Sequence, residues 1–491
     1  MAPISTDVFP APFAYARLVE EQALYDVQFY PFNTVDDEQI FAVAGQRDIF
    51  VLRPRVDQDT GYEVLRWLKN IVQDHSINSL CWTKDSSTHK PLLCIAGSAP
   101  KQILVIDVES GSIVQQLCGH GRGTNDLAIS PISTNLLVSA SEDYTLRLWN
   151  LQPQYSQQPC VAILAGEGHR QPIQACSFHS SGQWLLSGGL DTTVCLWAVP
   201  SLEELDRFSQ ESVAAGHPQP TVVYYPHFSS SEVHPDYIDN VVFYGDLIIS
   251  RASKGDSTGN QNEILIWKID GFDSEAEPPA HPPVPKPGQY TRSSFEHAEG
   301  SRGFQRLLTL DMPKTSLFYL RFGILHRPDM RPMLAMGDQE STVHFWDLQK
   351  IEEGWAPGEV RLGKKTAPRR GGAKSRVRGG KAKAIAGELG HLETSDGSHE
   401  SSHPSSVVTT TTSLGPSDER TYEVADPFKP ITPHKSIVLN TTLVNQDFET
   451  RQIAWSPDGT WCVAVGGKGM MSIFHRDKSV VNGLQAPSET V

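Results

Sequence analysis

The residue types best able to do chemistry in this chain are a histidine, a serine and an aspartate, which occur at fixed spacing twice. His120, Ser139 and Asp143 are followed by Trp149, and His169, Ser187 and Asp191 are followed by Trp197. In both sets the aspartate lies four residues after the serine and the tryptophan six residues after the aspartate. These are the parts of a hydrolytic triad, in which the imidazole takes the hydroxyl proton as serine attacks. That chemistry also needs an exposed nucleophile turn and an oxyanion hole, and neither serine sits in a G-x-S-x-G elbow. Recurrence, with an indole attached each time, describes instead a hydrogen-bonded relay that satisfies polar groups a repeated unit would otherwise bury unpaired.

The elements that must hold these residues are short strands. Residues 119–152, GHGRGTNDLAISPISTNLLVSASEDYTLRLWNLQ, open on Gly-His, close near Trp149, and carry three alternating apolar runs separated by turn residues. This is how one blade of a WD-repeat β-propeller reads. A lone blade would leave both faces in water, so further copies are required. They are found at residues 25–55 (YDVQFYPFN, IFAVAGQRDIFVLRP), 77–108 (NSLCWTK, LLCIAGS, QILVIDV), 216–270 (DNVVFYG, LIISRAS, EILIWKI, a degenerate copy), 304–347 (FQRLLTLDM, SLFYLRFGIL, MLAMGD, TVHFWDL) and 436–475 (SIVLNTTLVN, RQIAWSPDG, WCVAVGG, MMSIFHR). With the two relay-bearing copies this predicts an all-β, seven-bladed WD-repeat propeller over residues 13–476, with residues 13–20 as a strand closing the ring.

The remaining segments read as loose chain. Residues 1–12 and 477–491 are expected to be a disordered N-terminus and a flexible C-terminus. Residues 272–303, with PPAHPPVPKPG, are expected to be a surface loop, because proline removes ladder donors. Residues 352–430 are too poor in apolar side chains to fold alone and read as a disordered insertion.

Composition narrows the function classes. Seven cysteines without a C-x-x-C pair indicate neither a disulfide framework nor a zinc site. There is no phosphate-cradling glycine loop, no metal-spaced cluster, no cofactor motif and no paired catalytic carboxylates. No apolar run approaches the ~18 residues of a membrane span, and the start of the chain lacks a signal-peptide pattern, so a cytosolic or nuclear protein is expected. The net charge of −15 hides an asymmetry: residues 361–383 hold ten Lys/Arg and no Asp/Glu, leaving 32 basic against 57 acidic residues elsewhere. An acidic ring attracts a basic peptide. The basic run has two readings, a solvated loop without a task, or a nuclear-import or weak DNA-phosphate contact.

Beyond the generic repeat, the phrases CWTKDSSTHKPLLCIAGS, YIDNVVFYGDLIIS and LFYLRF resemble the embryonic ectoderm development / extra sex combs family, the WD-repeat subunit of Polycomb repressive complex 2. The resemblance runs from about Tyr25 to His475, outside the two insertions. It implies a non-catalytic nuclear subunit of a histone lysine methyltransferase, with a trimethyl-lysine histone tail at one mouth of the channel. It also implies a helix of the SET-domain catalytic subunit on the opposite face, further complex subunits as partners, and coupling of the two sites in gene silencing. Against it stand a WD-repeat adaptor of another assembly, such as a ubiquitin ligase, and a propeller enzyme.

Matched motif to motif, the resemblance places Tyr25, Phe318 and Tyr319 in a methyl-lysine cage, where ring faces hold a cation that has no hydrogen to donate. Where the family has a further tyrosine this chain has Asn78, which has no π face; Tyr30 is the nearby aromatic considered as a substitute. The implied peptide-binding residues are Asn125, Tyr237, Asp239, Arg321 and Arg451. Each has a plainer role open to it: Tyr25, Phe318 and Tyr319 as packed strand residues, Asp239 and Arg321 as a structural ion pair, Asn125 satisfying a strand end, and Tyr237 packing its ring. If Phe318 and Tyr319 lie in a strand they point to opposite faces, so only one fills the inter-blade layer.

Overall fold

The computed structural model describes residues 8–477 apart from 21, 35–36, 73–75, 99–100, 254–261, 329 and 354–425. The described chain forms seven sheets, each built on four antiparallel strands. From the channel outward, the first blade runs Leu24–Phe29, Phe41–Gly45, Ile49–Pro54 and Tyr62–Leu68. The second runs Ile77–Lys84, Pro91–Gly97, Ile103–Asp107 and Ile113–Leu117, and the third Thr124–Ser130, Ser133–Ser141, Leu146–Asn150 and Cys160–Leu164. The fourth is Ile173–Phe178, Trp184–Gly189, Val194–Ala198 and Phe228–Ser230, and the fifth Tyr237–Tyr244, Leu247–Ser253, Glu263–Ile269 and Phe304–Asp311. The sixth is Gly323–Leu325, Met333–Gly337, Thr342–Asp347 and Lys435–Val438. The seventh is Thr450–Trp455, Trp461–Gly466 and Met470–His475, and its outer strand is Ala11–Arg17 from the start of the chain.

That last pairing closes the ring, as the sequence leads one to expect. It corrects the N-terminal boundary: within the expected disordered segment 1–12, Phe9 is already buried in the core between blades six and seven and Ala11 is already paired. Residues 1–7 and 478–491 lie outside the described residues.

Why the strands read as apolar on both faces is visible in the core. Seven hydrophobic clusters lie one between each pair of neighbouring blades. In Ile77–Lys84, Leu80 and Trp82 face blade one while Cys81 faces blade three, the period of two expected of a sheet buried on both sides. Each fully buried leucine or valine contributes about 1.5–3 kcal/mol relative to exposure, so every blade is stabilised chiefly by its neighbours.

Three sequence boundaries are revised. Phe304–Asp311, read as opening blade six, is the fourth strand of blade five, and Lys435–Val438 closes blade six instead of opening blade seven. The repeats read as 304–347 and 436–475 thus each straddle two blades, which ties those neighbours together covalently. The expected surface loop 272–303 contributes Thr291–Ser293 as an added strand of blade four and buries Phe295. Helix Leu202–Ala214 was not expected, although Ser201 and Glu204 form a reciprocal capping box at its start. Of the expected insertion 352–430, residues 354–425 fall outside the described residues, and Pro430–Ile431 pairs in parallel with Phe304–Asp311.

Candidate functional site

Six of the seven inner strands carry a β-bulge near their N-terminal ends, and the residues left unpaired are Tyr25, Asn78, Asn125, Gln174, Asp239 and Arg451. A bulge turns one side chain out of the ladder and occurs at barrel rims beside binding sites. Glycines in the second strands make room for it. A Cβ on Gly97 would lie 1.8 Å from the Ser76 carbonyl oxygen and one on Gly466 1.9 Å from that of Glu449, so only glycine fits where the second strand passes the approach to Asn78 and Arg451.

In the first three blades the residue after the bulge stitches neighbouring blades together. Asp26 accepts the Leu80 N–H at 2.8 Å, Ser79 Oγ lies 3.3 Å from both Asp26 and Asp126, and Asp126 accepts the Cys176 N–H at 2.9 Å. Arg321 reaches across from blade six, donating to Asp126 at 2.8 Å and to the Gln174 carbonyl at 2.7 Å. Burial opposes the Arg321 charge, but Asp126 and Asp26 raise its pKa overall. Burial pushes the Asp26 carboxyl up to about 6, against the pull of the Leu80 N–H and of Arg321.

The alternative of an ion pair between Asp239 and Arg321 is therefore corrected: each is paired, but with a different partner. Arg321 holds Asp126, and Asp239, fully buried, holds Arg251. Neither Asp239 nor Asn125, at 0% and 1% exposure, forms an open rim; both support the mouth from beneath, whereas Tyr237 is 47% exposed.

The aromatic wall comes from blade six, where the chain does not form a strand until Gly323. Phe318 and Tyr319 lie in a loop, so the opposite-face expectation fails: Tyr319 has φ +61° and the two rings meet edge to face at 4.6 Å. Tyr319 donates from its hydroxyl to Asn125 Oδ1 at 2.8 Å, and its own N–H donates to Asp239 at 3.2 Å. Burial raises the Tyr319 pKa, so the phenol remains a donor at neutral pH. From the other side, the Arg451 guanidinium lies 5.3 Å from the Tyr25 ring centre, donates to Glu449 at 2.7 Å and reaches the Phe318 carbonyl at 3.5 Å. The face of Tyr25 thus already holds a delocalised cation. Tyr25, Phe318 and Tyr319 all remain partly exposed.

Asn78 occupies its bulge partly exposed, and its side-chain amide makes no hydrogen bond among the described residues. Tyr30 does not replace the missing ring. It sits beyond the far end of the strand that starts at Leu24 and packs edge-on against Trp82 at 5.2 Å.

Both relays form as read. His120 meets Asp143 at 2.9 Å and Ser139 at 2.6 Å, with the Trp149 N–H donating to Ser139 at 2.8 Å; the second set gives 3.0, 2.8 and 3.0 Å. Ser139 and Ser187 are fully buried with an indole on each hydroxyl, which leaves no approach for a substrate. A third relay escaped the sequence reading: His234 meets Ser250 at 2.7 Å and Trp267 donates to Ser250 at 2.9 Å, with no carboxylate partner for His234 among the described residues. Burial lowers His234 to about 3, whereas at His169 burial is outweighed by Cys195 and Asp191, which raise it to about 10.

Among the described residues no group of three or more His, Cys, Asp or Glu could hold a metal ion, and no helix is long and apolar enough to cross a membrane. Gln174, missed in the sequence, was findable: aligning the inner strands shows it at the same offset as Tyr25 and Asn125. Arg251 was not findable, because its role depends on a loop from the next blade.

The chain matches the model of the WD domain, G-beta repeat, at residues 111–150 and 158–198. It is 37% identical over 340 residues to Polycomb protein EED of Chaetomium thermophilum, covering 67% of this chain and 57% of that protein. It is 30% identical over 351 residues to Polycomb protein esc of Drosophila melanogaster, covering 69% and 73%. In structure it resembles a chain of the Chaetomium thermophilum polycomb repressive complex 2, with TM-score 0.72, 29% identity and coverage of 95% and 98%. A chain in the structure of ctPRC2 in complex with H3K27me3 and H3K27M matches with TM-score 0.72 at 28% identity and the same coverage.

Proposed function

This chain belongs to the Polycomb EED and esc family of WD-repeat proteins, and from that membership we propose that it is the non-catalytic WD-repeat subunit of a nuclear Polycomb repressive complex 2. It takes a trimethyl-lysine histone tail at the mouth lined by Tyr25, Phe318 and Tyr319, with Asn125, Tyr237, Asp239, Arg321 and Arg451 shaping the site around the tail. It scaffolds the SET-domain catalytic subunit and the other subunits, and binding of an existing mark stimulates new methylation. The observation that carries this reading is the row of inner-strand bulges, which brings Tyr25 and Arg451 to the same mouth as the Phe318 and Tyr319 wall, with Asn125 bonded to Tyr319 beneath it. Aromatic faces suit a quaternary ammonium, and the face of Tyr25 already holds one delocalised cation, the Arg451 guanidinium.

The opposite end of the ring supports a docking role. There a cleft of about 460 Å³ is lined mainly by apolar side chains, among them Tyr30, Ile40, Leu65 and Trp82, together with the polar Asn33, Arg66 and Glu109, a surface of the kind that receives an amphipathic helix. Reconstitution with a SET-domain subunit tests the whole reading. Methyltransferase activity should rise when a trimethyl-lysine histone peptide is added, and coupling requires that the assembled complex bind that peptide more tightly than the free ring does. A complex that assembles but responds equally to modified and unmodified peptide contradicts it.

The adaptor reading is not favoured by relatives that are Polycomb proteins over two thirds of this chain. The basic run 361–383 lies outside the described residues; a weak contact with DNA phosphates would show as salt-sensitive affinity lost when the run is deleted.

A further inference from the structure

Arg251 lies in the second strand of blade five and is completely buried, yet most of its hydrogen bonds leave its own blade. One terminal nitrogen donates to Asp239 and to the Leu320 carbonyl at 2.9 Å; the other donates to the Thr315 carbonyl and to the Leu317 carbonyl at 3.1 Å. All three carbonyls belong to the blade-six loop that carries Phe318 and Tyr319. Two further ties hold that loop: Ser253 Oγ donates to the Ser316 carbonyl at 3.1 Å, and Gln339 accepts from Ser316 Oγ at 2.8 Å and from the Leu317 N–H at 3.2 Å.

The loop needs such a clamp. Tyr319 has φ +61°, a conformation a bulky side chain keeps only where its surroundings over-determine it. The partner of Arg251 supplies part of that determination directly, since Asp239 accepts the Tyr319 N–H at 3.2 Å. A planar fork with fixed donors can serve a carboxylate and three carbonyls at once, which a single ammonium cannot.

We infer that Arg251, through Asp239 and the three loop carbonyls, is a positioning residue for the methyl-lysine site: it touches no ligand but fixes the backbone that aims Phe318 and Tyr319. This rests on the methyl-lysine reading given above. A residue that served stability alone would alter melting and leave the discrimination between methylated and unmodified peptide untouched.

The test compares wild type, Arg251→Lys and Ser253→Ala in the full chain. It uses calorimetric titration of trimethylated and unmodified histone peptides, together with hydrogen exchange over residues 312–322. Lysine retains the charge for Asp239, so the fold is expected to persist while exchange in the loop accelerates and preference for the trimethylated peptide falls about tenfold. Ser253→Ala, which removes a single tie, should move both readouts in the same direction, about two- to threefold. If Arg251→Lys does not fold, the Ser253→Ala result decides alone. Faster exchange with unchanged preference, or no change in either readout, overturns the inference. Equal binding of both peptides by wild type would instead remove the methyl-lysine reading, whatever Arg251 does.

Discussion

The Tyr319 hydroxyl donates to Asn125 Oδ1 at 2.8 Å, a bond that spans the channel mouth from blade six to blade three. Asn125 is itself fixed, its amide donating to the Ile173 carbonyl of blade four at 2.8 Å. One ring of the aromatic wall is therefore oriented by two blades remote from its own. Because this bridge orients a ring at the mouth and neither residue belongs to the clusters packed between blades, removing it should loosen the site and leave the propeller intact.

Tyr319→Phe keeps the ring and deletes the bond. The loss of one neutral hydrogen bond is worth about 0.5–1.5 kcal/mol, so affinity for a trimethyl-lysine peptide should fall about two- to tenfold. Asn125→Ala should act through the same bond, and the double variant should lose less than the sum of the two. Full additivity in a calorimetric double-mutant cycle would show the two residues to act independently.

The serine relays predict a stability effect. Ser187→Ala leaves the Trp197 N–H and a ring nitrogen of His169 buried without partners and should cost about 1–3 kcal/mol. Urea midpoints would read this directly. A Ser187→Ala midpoint equal to wild type would mean the relay contributes nothing.

The relay without a carboxylate predicts a pH dependence. His234 is held neutral in the folded ring, at about 3 against 6.5 in the unfolded chain. A depressed pKa gives stability that is complete above 6.5 and is lost as pH falls toward 3, at up to about 1.4 kcal/mol per pH unit. Urea titrations at pH 7, 6 and 5 should show that decline, and His234→Gln should flatten it. An identical slope in the variant would assign the decline to other groups.

Ring closure can be tested by deletion. Removing residues 1–17 strips the outer strand from blade seven and exposes the edge Met470–His475. The shortened chain is expected to unfold at lower urea and to self-associate, because an unpaired edge is a template for another strand. A monomer of wild-type stability would show that this strand is dispensable.

Much of this was legible in the residues. Alternation in NSLCWTK and LLCIAGS identifies strands buried on both faces, and the two His-Ser-Asp-Trp sets fix the repeat, because those patterns are local. Residues matched at Tyr25, Asn125, Asp239 and Arg451 proved to be the bulge residues of their strands. What was not legible depends on partners distant in the chain. LFYLRF reads as a strand by pattern, yet Tyr319 is held out of the strand conformation by Asp239, eighty residues away in sequence. The ion pairs of Asp239 and Arg321 could not be assigned for the same reason, since Arg251 and Asp126 reach them only once the ring has formed. The third relay was hidden because His234 and Ser250 lack the aspartate that made the other two stand out.

The most direct measurement of the central claim is a titration of the wild-type ring, Phe318→Ala and Tyr25→Ala with trimethylated and unmodified histone peptides. Each wall of an exposed cation site contributes about 0.5–1 kcal/mol, rising to about 2 where water is excluded. Wild type should prefer the trimethylated peptide, and each substitution should cut that preference several-fold while binding of the unmodified peptide stays constant. Equal binding of the two peptides by wild type, or a preference that survives both substitutions, would contradict the account.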